Sequence, residues 1–331
     1  MKWGIVGAST IASEWMIDAI RGQGGSVDVL SSGSGEYAHK FAEKHGIPSV
    51  VNDPNRFSSF ELDAVYVSSI NHLHLDHVAI CASMGLHILC EKPLTLDLVE
   101  AQSMLEICST NNVLLATNHH LRYAGTHKRI RELIAEGVIG EILSARVFHA
   151  VSLPPHLQGW RINQPDQGGG VVVDIAVHNA DVLSIVMGGY PESIQSMTAE
   201  KSLGQGVEDE SMSIWRYAGD RLVYTHESFV TPFAGHGIEF HGTEGSLVGR
   251  GVMSQQPIGQ VMLNNSKGQQ EIAVIHRNLY EGVIANFCEA VAKNQAPWCD
   301  GVAGYNSLAT ALAVIESART GQSQSPSLWE A

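Results

Sequence analysis

The chain has 331 residues, which is enough for two domains with large cores. Its 34 acidic residues outnumber 20 basic ones, and the formal net charge of −14 argues against nucleic acid or an anionic membrane as a partner, because both attract clustered cations. The 5 cysteines have no paired spacing and no apolar run reaches the ~18 residues of a membrane span, so we expect a cytoplasmic protein with reduced thiols.

Strand and helix alternate through the first third of the chain. The predicted strands are 3–6, 27–30, 64–68, 87–90 and 113–117, and the helical patterns between them are 10–21, 36–45, 74–84 and 96–109. Because these strands are continuously apolar and are separated by helices, they predict a doubly wound parallel sheet of the Rossmann type.

The pattern changes after a helix at 126–136. A long strand at 140–151 is followed by strand-like runs joined mostly by short turns, at 194–201, 211–217, 222–228, 237–241, 245–249, 260–263 and 271–275. Helices at 280–293 and 307–320 end the pattern. We predict a second, α+β domain with an open, mostly antiparallel sheet. The boundary is placed between residues 120 and 121, and the sequence leaves open whether the last helix packs on the first domain.

A glycine-containing loop follows the first predicted strand and opens the first helix. It has the spacing of the dinucleotide fingerprint, with a serine in place of the second glycine and an alanine in place of the third. A helix that begins in such a loop presents backbone N–H groups to a pyrophosphate, although a plain strand-to-helix turn is the alternative. The cofactor residues predicted here are Gly7, Ser9, Thr10, Ile11 and Ala12.

The end of the second strand indicates which nicotinamide cofactor binds. An NAD-specific site usually has an acid here for the ribose 2′-hydroxyl, but the sequence has Ser32 and Ser34, and Asp28 lies too early in the strand. Small hydroxyl donors suit a 2′-phosphate, and His39 or Lys40 could add positive charge. We predict NADP(H), with Ser32 and Ser34 among its contacts.

A charged pair stands at the end of the fourth predicted strand, where Glu91, Lys92 and Pro93 follow residues 87–90. In an open parallel sheet, ligands bind beyond the carboxyl ends of the strands, and Pro93 stiffens the backbone that presents Lys92. A solvated lysine at the start of the next helix is the alternative. We assign Glu91 and Lys92 to the cofactor site, and Lys92 also to catalysis.

A second candidate site follows the three glycines at 168–170. Segment 171–181 is apolar nearly all round and predicts a buried helix, in which Asp174, His178 and Asp181 recur at i, i+4 and i+7 on one face. An acid and a base one turn apart can orient each other for general acid–base chemistry. A satisfied buried network is one alternative. A metal site is the other, but one histidine with two carboxylates is a thin ligand set, so we predict no metal.

These segments together resemble the glucose–fructose oxidoreductase/inositol dehydrogenase (Gfo/Idh/MocA) family of nicotinamide-dependent sugar oxidoreductases. The motifs that carry the resemblance are the strand-first glycine loop, Glu91-Lys92-Pro93, Trp160-Arg161, Gly168-Gly169-Gly170, Asp174 and His178. The cofactor contacts that the resemblance implies are Ser9, Ala12 and Ser32. The catalytic residues that it implies are Lys92 and His178. Tyr37 is a departure, because the reductases of the family that the sequence resembles most have an arginine there for the 2′-phosphate.

The resemblance implies that residues 1–120 bind NADP(H) and that residues 121–331 bind the substrate of a ketone reduction. Lys92 is expected to donate a hydrogen bond to the developing oxyanion and His178 to supply the proton, with Asp174 orienting His178. The roles of Lys92 and His178 could be exchanged. The residues expected to hold a cyclic ketose are Trp160, Arg161, Asp174 and His178. The remaining residues assigned to the cofactor site are Asn71 and His74.

Two other functions fit the same sequence features. One is an NAD(P)-dependent inositol or sugar-alcohol dehydrogenase, which would use the same residues in the oxidising direction. The other is a non-catalytic regulator that senses NADP, because a fold does not fix a function. We expect a small-molecule substrate, no nucleic-acid or membrane partner, and either a monomer or a homo-oligomer that pairs through the open sheet.

Overall fold

The computed structural model describes residues 1–33 and 35–330, so Ser34, one of the predicted cofactor contacts, lies outside the described residues. The strands are β1 (Lys2–Val6), β2 (Ser26–Ser31), β3 (Ser49–Val51), β4 (Ala64–Val67), β5 (His87–Cys90), β6 (Leu115–Thr117), β7 (Ile142–Ala150), β8 (Ser193–Ala199), β9 (Glu210–Tyr217), β10 (Arg221–Ser228), β11 (His236–Gly242), β12 (Gly245–Arg250), β13 (Gln260–Asn265) and β14 (Gly268–Ile272). The α-helices are α1 (Ile17–Gly22), α2 (Glu36–His45), α3 (His74–Ser83), α4 (Leu98–Thr110), α5 (Gly125–Ala135), α6 (Pro155–Gln158), α7 (Val177–Met187), α8 (Leu279–Lys293) and α9 (Gly301–Thr320).

The first six strands form one parallel sheet in the order β3-β2-β1-β4-β5-β6. Strand order reverses between β1 and β4, which is the switch point beside which ligands bind in doubly wound sheets. The predicted fold class of this region is confirmed. Strand β3 was not predicted, because it is a three-residue edge strand whose residues are all partly exposed and so lacks an apolar run.

The other eight strands form a mixed sheet in the order β14-β13-β12-β11-β7-β10-β9-β8. Strands β7 and β10 pair in parallel and the other pairs are antiparallel, as the prediction of a mostly antiparallel sheet requires. Buried and exposed residues alternate along β9, so one face of the sheet is covered and the other is open. The last strand lies earlier than the predicted 271–275, because a tight turn before Gly268 sets its pairing with β13.

Contacts divide the described chain into two compact units. Unit 1 comprises Met1–His119 and Tyr280–Tyr305, and unit 2 comprises His120–Leu279 and the residues from Asn306 onward. Unit 1 therefore includes α8 and the start of α9 in addition to the first sheet. The assignment of cofactor binding to residues 1–120 and of substrate binding to residues 121–331 stays a prediction.

The glycine-led helix of the sequence analysis is a core element of unit 2. It runs as a π-helical segment, Val172–Ala176, directly into α7. The stretch Pro165–Met187 is long and apolar enough to cross a membrane, but 78% of its most apolar window is buried inside the protein. Burial to this extent is typical of the core helix of a protein.

A buried histidine makes the stability of unit 2 sensitive to acid. His127, at the start of α5, donates from Nδ1 to the Leu121 carbonyl oxygen (3.0 Å), and burial lowers the pKa of His127 to about 4. Because this folded-state pKa lies below the ordinary value, the stability that neutral His127 contributes is complete above pH 6.5 and is lost as the pH falls towards 4.

We expect His127→Asn, which keeps a side-chain donor, to flatten the pH dependence of the unfolding free energy. Between pH 6 and 4.5 the wild type should lose up to about 1.4 kcal/mol per pH unit more than the variant, as one extra proton bound by the unfolded state requires. Urea unfolding at a series of pH values measures this, with exposed His72→Asn as the control. Equal slopes for wild type and His127→Asn would contradict the assignment.

Candidate active site

The end of β1 lies unusually close to the end of β4 in unit 1. Gly7 has φ +103°, and a Cβ there would lie 2.7 Å from the carbonyl group of Ser68 and from the Ser69 nitrogen. Any larger residue would therefore push the two strand ends apart. The absence of a side chain at Gly7 therefore leaves the backbone at the switch point open to close approach by a ligand.

Ser9 fixes the turn from β1 into the first helix. Its Oγ donates to Ser68 Oγ (2.9 Å) and accepts from the Ala12 N–H (3.1 Å), and the Ser13 N–H donates to the Ser9 carbonyl oxygen (3.0 Å). The first-turn N–H groups of a helix lack partners within the helix and face outward from such a turn. Ser9 is therefore built into the loop, and the assignment of this loop to the pyrophosphate of a nicotinamide cofactor stays a prediction.

The end of β2 presents small polar groups rather than an acid. The Ser32 N–H donates to the Val51 carbonyl oxygen (3.0 Å), which fixes the backbone while Ser32 stays partly exposed. Tyr37, at the place where an arginine was expected, is 57% exposed. Lys40 pairs with Glu36 (2.7 Å), so its charge is partly neutralised.

Glu91 connects the ends of three neighbouring strands. Its Oε1 accepts from the Tyr66 hydroxyl on β4 and from Asn118 Nδ2, just after β6 (2.6 Å). Burial raises the pKa of Glu91, and Tyr66, Asn118 and Lys92 oppose that shift. The carboxyl group of Glu91 therefore stabilises the sheet edge from which partly exposed Lys92 projects. Its assignment to the cofactor stays a prediction.

His74 connects the loops after β4 and β5. Its Nε2 lies 2.9 Å from the Ser69 carbonyl oxygen and its Nδ1 lies 2.9 Å from the Leu94 carbonyl oxygen, and the side chain is fully buried. This buried position supports the segment that carries Lys92. Asn71, the other residue assigned to this region, is also buried.

Three of the four predicted substrate residues meet in unit 2. Arg161 Nε lies 3.4 Å from Asp174 Oδ2, and the Arg161 guanidinium lies 4.4 Å from the centre of the Trp160 ring. The Arg161 Nη1 also donates to the Leu157 carbonyl oxygen (3.1 Å). All of these side chains keep some exposure, so this cluster presents a flat aromatic face and hydrogen-bonding groups together.

His178 lies in a group of histidines. Its ring centre is 5.0 Å from that of His120, edge to face, and 6.4 Å from that of His149. His178 is only 6% exposed. The predicted pairing of Asp174 with His178 stays a prediction, because the ion pair that the structure shows for Asp174 is with Arg161.

Asp181, the third polar residue of the predicted stripe, belongs to a buried ion pair. Its Oδ1 accepts from both Nε and Nη2 of Arg122 at 2.7 Å, and the two side chains are 1% and 6% exposed. Asp181 therefore belongs to a buried polar network, which was the alternative to a catalytic role for this stripe of residues. Within residues 1–33 and 35–330, no group of three or more His, Cys, Asp or Glu side chains could hold a metal ion.

The partners of α7 come from distant parts of the chain. The pair His119-His120 was a sequence candidate, and the structure places His120, Arg122 and His149 against α7. The N–H of Val172 donates to Glu208 Oε1 (3.1 Å), which caps the glycine-led helix from a distant loop. No local pattern could have revealed this contact of Glu208.

Family models match both halves of the chain. Residues 1–119 match the oxidoreductase family with an NAD-binding Rossmann fold, and residues 127–248 match the GFO/IDH/MocA C-terminal domain. The chain therefore belongs to the GFO/IDH/MocA family of oxidoreductases, and its first domain is an NAD(P)-binding Rossmann domain. The family resemblance predicted from the sequence is confirmed.

The chain is similar to 1,5-anhydro-D-fructose reductase of Ensifer adhaerens, with 45% identity over 323 residues and 97% of both chains covered. It is 26% identical to D-xylose 1-dehydrogenase (NADP(+)) 2 of Haloferax volcanii, over 97% of this chain and 98% of that protein. Among solved structures, aldose-aldose oxidoreductase from Caulobacter crescentus covers 98% of this chain and 99% of its own, with TM-score 0.90 and 18% identity. Levoglucosan dehydrogenase, complexed with NADH and levoglucosan, covers 99% of each chain with TM-score 0.85 and 20% identity. These two structures support the fold alone.

Proposed function

We propose that the protein reduces 1,5-anhydro-D-fructose to 1,5-anhydro-D-mannitol with NADPH. The observation that carries this proposal is the 45% identity to the Ensifer adhaerens reductase over 97% of both chains. The residues present are of the types that the reaction needs, namely an oxyanion donor, a proton donor and several groups for ring hydroxyls. When bound, the reduced nicotinamide supplies a hydride to the carbonyl carbon.

Lys92 acts on the carbonyl oxygen. It donates a hydrogen bond to that oxygen and stabilises the negative charge that develops there. The Glu91 network holds the strand ends, so Lys92 is presented by a rigid edge rather than by a mobile loop. Rigid placement matters because preorganised donors avoid reorganisation during the reaction.

His178 supplies the proton that completes the alcohol, and its burial shields that proton from bulk water. Asp174 orients His178 and binds a ring hydroxyl together with Arg161. The Trp160 face packs against the apolar side of the sugar ring. In the alternative, Lys92 supplies the proton and His178 stabilises the oxyanion, and the variants below separate the two cases.

NADPH should be preferred over NADH, because the end of β2 offers Ser32 and no acid. We expect Ser32→Asp to shift the ratio of kcat/KM values at least about tenfold towards NADH, since a carboxylate repels the 2′-phosphate and accepts the ribose hydroxyl. Tyr37 in place of arginine should leave the wild-type preference weaker than in the related reductases. Initial rates with both cofactors measure the ratio, and Ser58→Asp is an exposed control in the same unit. A wild-type preference for NADH would overturn the NADP(H) assignment.

A substrate panel tests the reaction directly. We expect 1,5-anhydro-D-fructose to give the highest kcat/KM with NADPH, other 2-ketoaldoses to be poorer substrates, and oxidation of myo-inositol to be slow or absent. Chelators should not inhibit. If myo-inositol or a free aldose gave the highest value, the substrate assignment would fail. NADPH binding without turnover of any panel member would favour the sensing regulator.

We also propose a cytoplasmic location and no nucleic-acid or membrane partner, in line with the net charge of −14 and 5 cysteines that are all free thiols. The open face of the second sheet exposes Met197, Met212, Ile214 and Leu222, which would suit pairing of two copies. A monomer is the alternative. Sedimentation equilibrium distinguishes the two states.

A further inference from the structure

Unit 2 contains a fully buried carboxyl group that the proposed mechanism does not use. Glu227, on β10, is 0% exposed, and its Oε1 accepts a hydrogen bond from Asn179 Nδ2 (2.7 Å). Asn179 directly follows His178 on α7. The side chains of Thr225 and Ser211 also interact with the Glu227 carboxyl group and favour its charged form.

The bond to Asn179 does not by itself explain an acid at this position. A glutamine would accept the same hydrogen bond and would cost less to bury, because an ionised carboxyl loses more hydration than an amide. Burial raises the pKa of Glu227 to about 7, against weaker lowering by Asn179, Thr225 and Ser211. The carboxyl group therefore changes charge near neutral pH.

Strand register places Glu227 beside a histidine of the active-site group. Strands β10 and β7 pair in parallel with Glu227 opposite His149, and their side chains share the covered face of the sheet. Neighbouring strands lie about 4.8 Å apart, so the two side chains are adjacent. The His149 ring in turn lies 6.4 Å from the His178 ring. His149 therefore neighbours both the buried carboxyl and the proposed proton donor.

Other titratable groups lie near this level of the sheet. His236, opposite His149 on β11, accepts the Met253 N–H at Nδ1 (3.0 Å), and burial lowers the pKa of His236. The Asp181 carboxylate is matched by Arg122. Among the residues that the structure describes, other titratable groups near these elements are His120, Asp174, Glu208, Asp209 and Tyr224, and the Asp174 carboxylate is paired with Arg161.

We propose that Glu227 is a positioning residue for His178: its ionised carboxyl group, acting across His149, keeps a proton on His178 so that His178 enters the reaction as a donor. The proposal depends on the proposed function only where it assigns the proton of His178 to the reduction of a ketone. In a protein interior with an effective dielectric constant of about 20, a negative charge about 10 Å away raises the pKa of a histidine by about one unit. Loss of the charge should lower it by the same amount.

The experiment measures the titration of His178 by NMR on histidine-labelled protein, with its signal assigned by its absence in His178→Ala. We expect Glu227→Gln to lower the pKa of His178 by about one unit, while the control Glu239→Gln leaves it unchanged. Glu239 pairs with Arg146 (3.3 Å) on the open face of the same sheet. An unchanged His178 titration in Glu227→Gln would overturn the proposal.

The pH dependence of kcat/KM gives a second readout with activity. In Glu227→Gln the loss of activity with rising pH should begin about one unit lower than in the wild type, with NADPH affinity unchanged. His149→Gln should move the same limb in the same direction, and the double variant should move it no further than the larger single effect. If Glu227→Gln did not fold, the pH profile of His149→Gln would test the proposal, and an unchanged high-pH limb would overturn it. If Glu227→Gln lowered the pKa of His178 but the wild-type protein reduced no ketone, the positioning role would stand and the proposed function would be wrong.

Discussion

Lys92→Ala should reduce turnover by about 10²–10³-fold while NADPH binding stays largely intact. The loss is that of one hydrogen-bond donor to a developing oxyanion. The binding loop at Gly7 and Ser9 does not depend on the Lys92 side chain, so cofactor affinity should survive. Steady-state rates and fluorescence titration with NADPH measure the two quantities, and the exposed Lys128→Ala is the matched control.

His178→Ala should cost a similar factor, about 10²–10⁴, because general acid catalysis is lost. If the two residues act on one carbonyl group, the double variant should fall well short of the multiplied losses. The two roles separate by pH: the variant that lacks the proton donor should lose the high-pH limb of the rate profile. Near-normal rates in both single variants would remove this site from the account.

Asp181→Asn should destabilise the protein by about 3–5 kcal/mol, because it leaves the buried Arg122 guanidinium without its counter-charge. The pair is 1% and 6% exposed, so water cannot compensate. Urea unfolding measures the change, and Glu316→Gln, which disrupts the exposed pair with Arg319, should stay within about 0.5 kcal/mol of the wild type. A loss below 1 kcal/mol for Asp181→Asn would show that the buried pair contributes little. Replacing both partners by apolar residues of similar volume should recover much of the loss.

The first sheet was largely predictable because its buried strands are continuous apolar runs that alternate with helices. Only the short edge strand β3 was not predicted, because its three partly exposed residues form no continuous apolar run. For the second sheet, the sequence predicted the type of sheet, which is open and mostly antiparallel. Its register was not predictable, because pairing between distant strands depends on turn geometry that no short window contains.

The candidate site likewise contains residues that the sequence indicated and residues that it did not. Lys92 follows a strand and His178 lies on an apolar helix, so both were visible as polar residues in apolar surroundings. The Arg161–Asp174 ion pair brings two of the predicted substrate residues together, and their role in binding substrate stays a prediction. The partners that come from elsewhere in the chain, such as Glu227 and His149, were not visible, because they are brought together by strand register and by the packing of α7.

The most direct test is product analysis after reduction of 1,5-anhydro-D-fructose with NADPH that carries deuterium at both C4 positions of the nicotinamide. We predict 1,5-anhydro-D-mannitol with one deuterium at the former carbonyl carbon, identified by NMR and mass spectrometry, and about 10²–10³-fold less of it from Lys92→Ala over the same time. Formation of the epimeric alcohol, a product without deuterium, or no reduction at all by the wild-type protein would contradict this prediction.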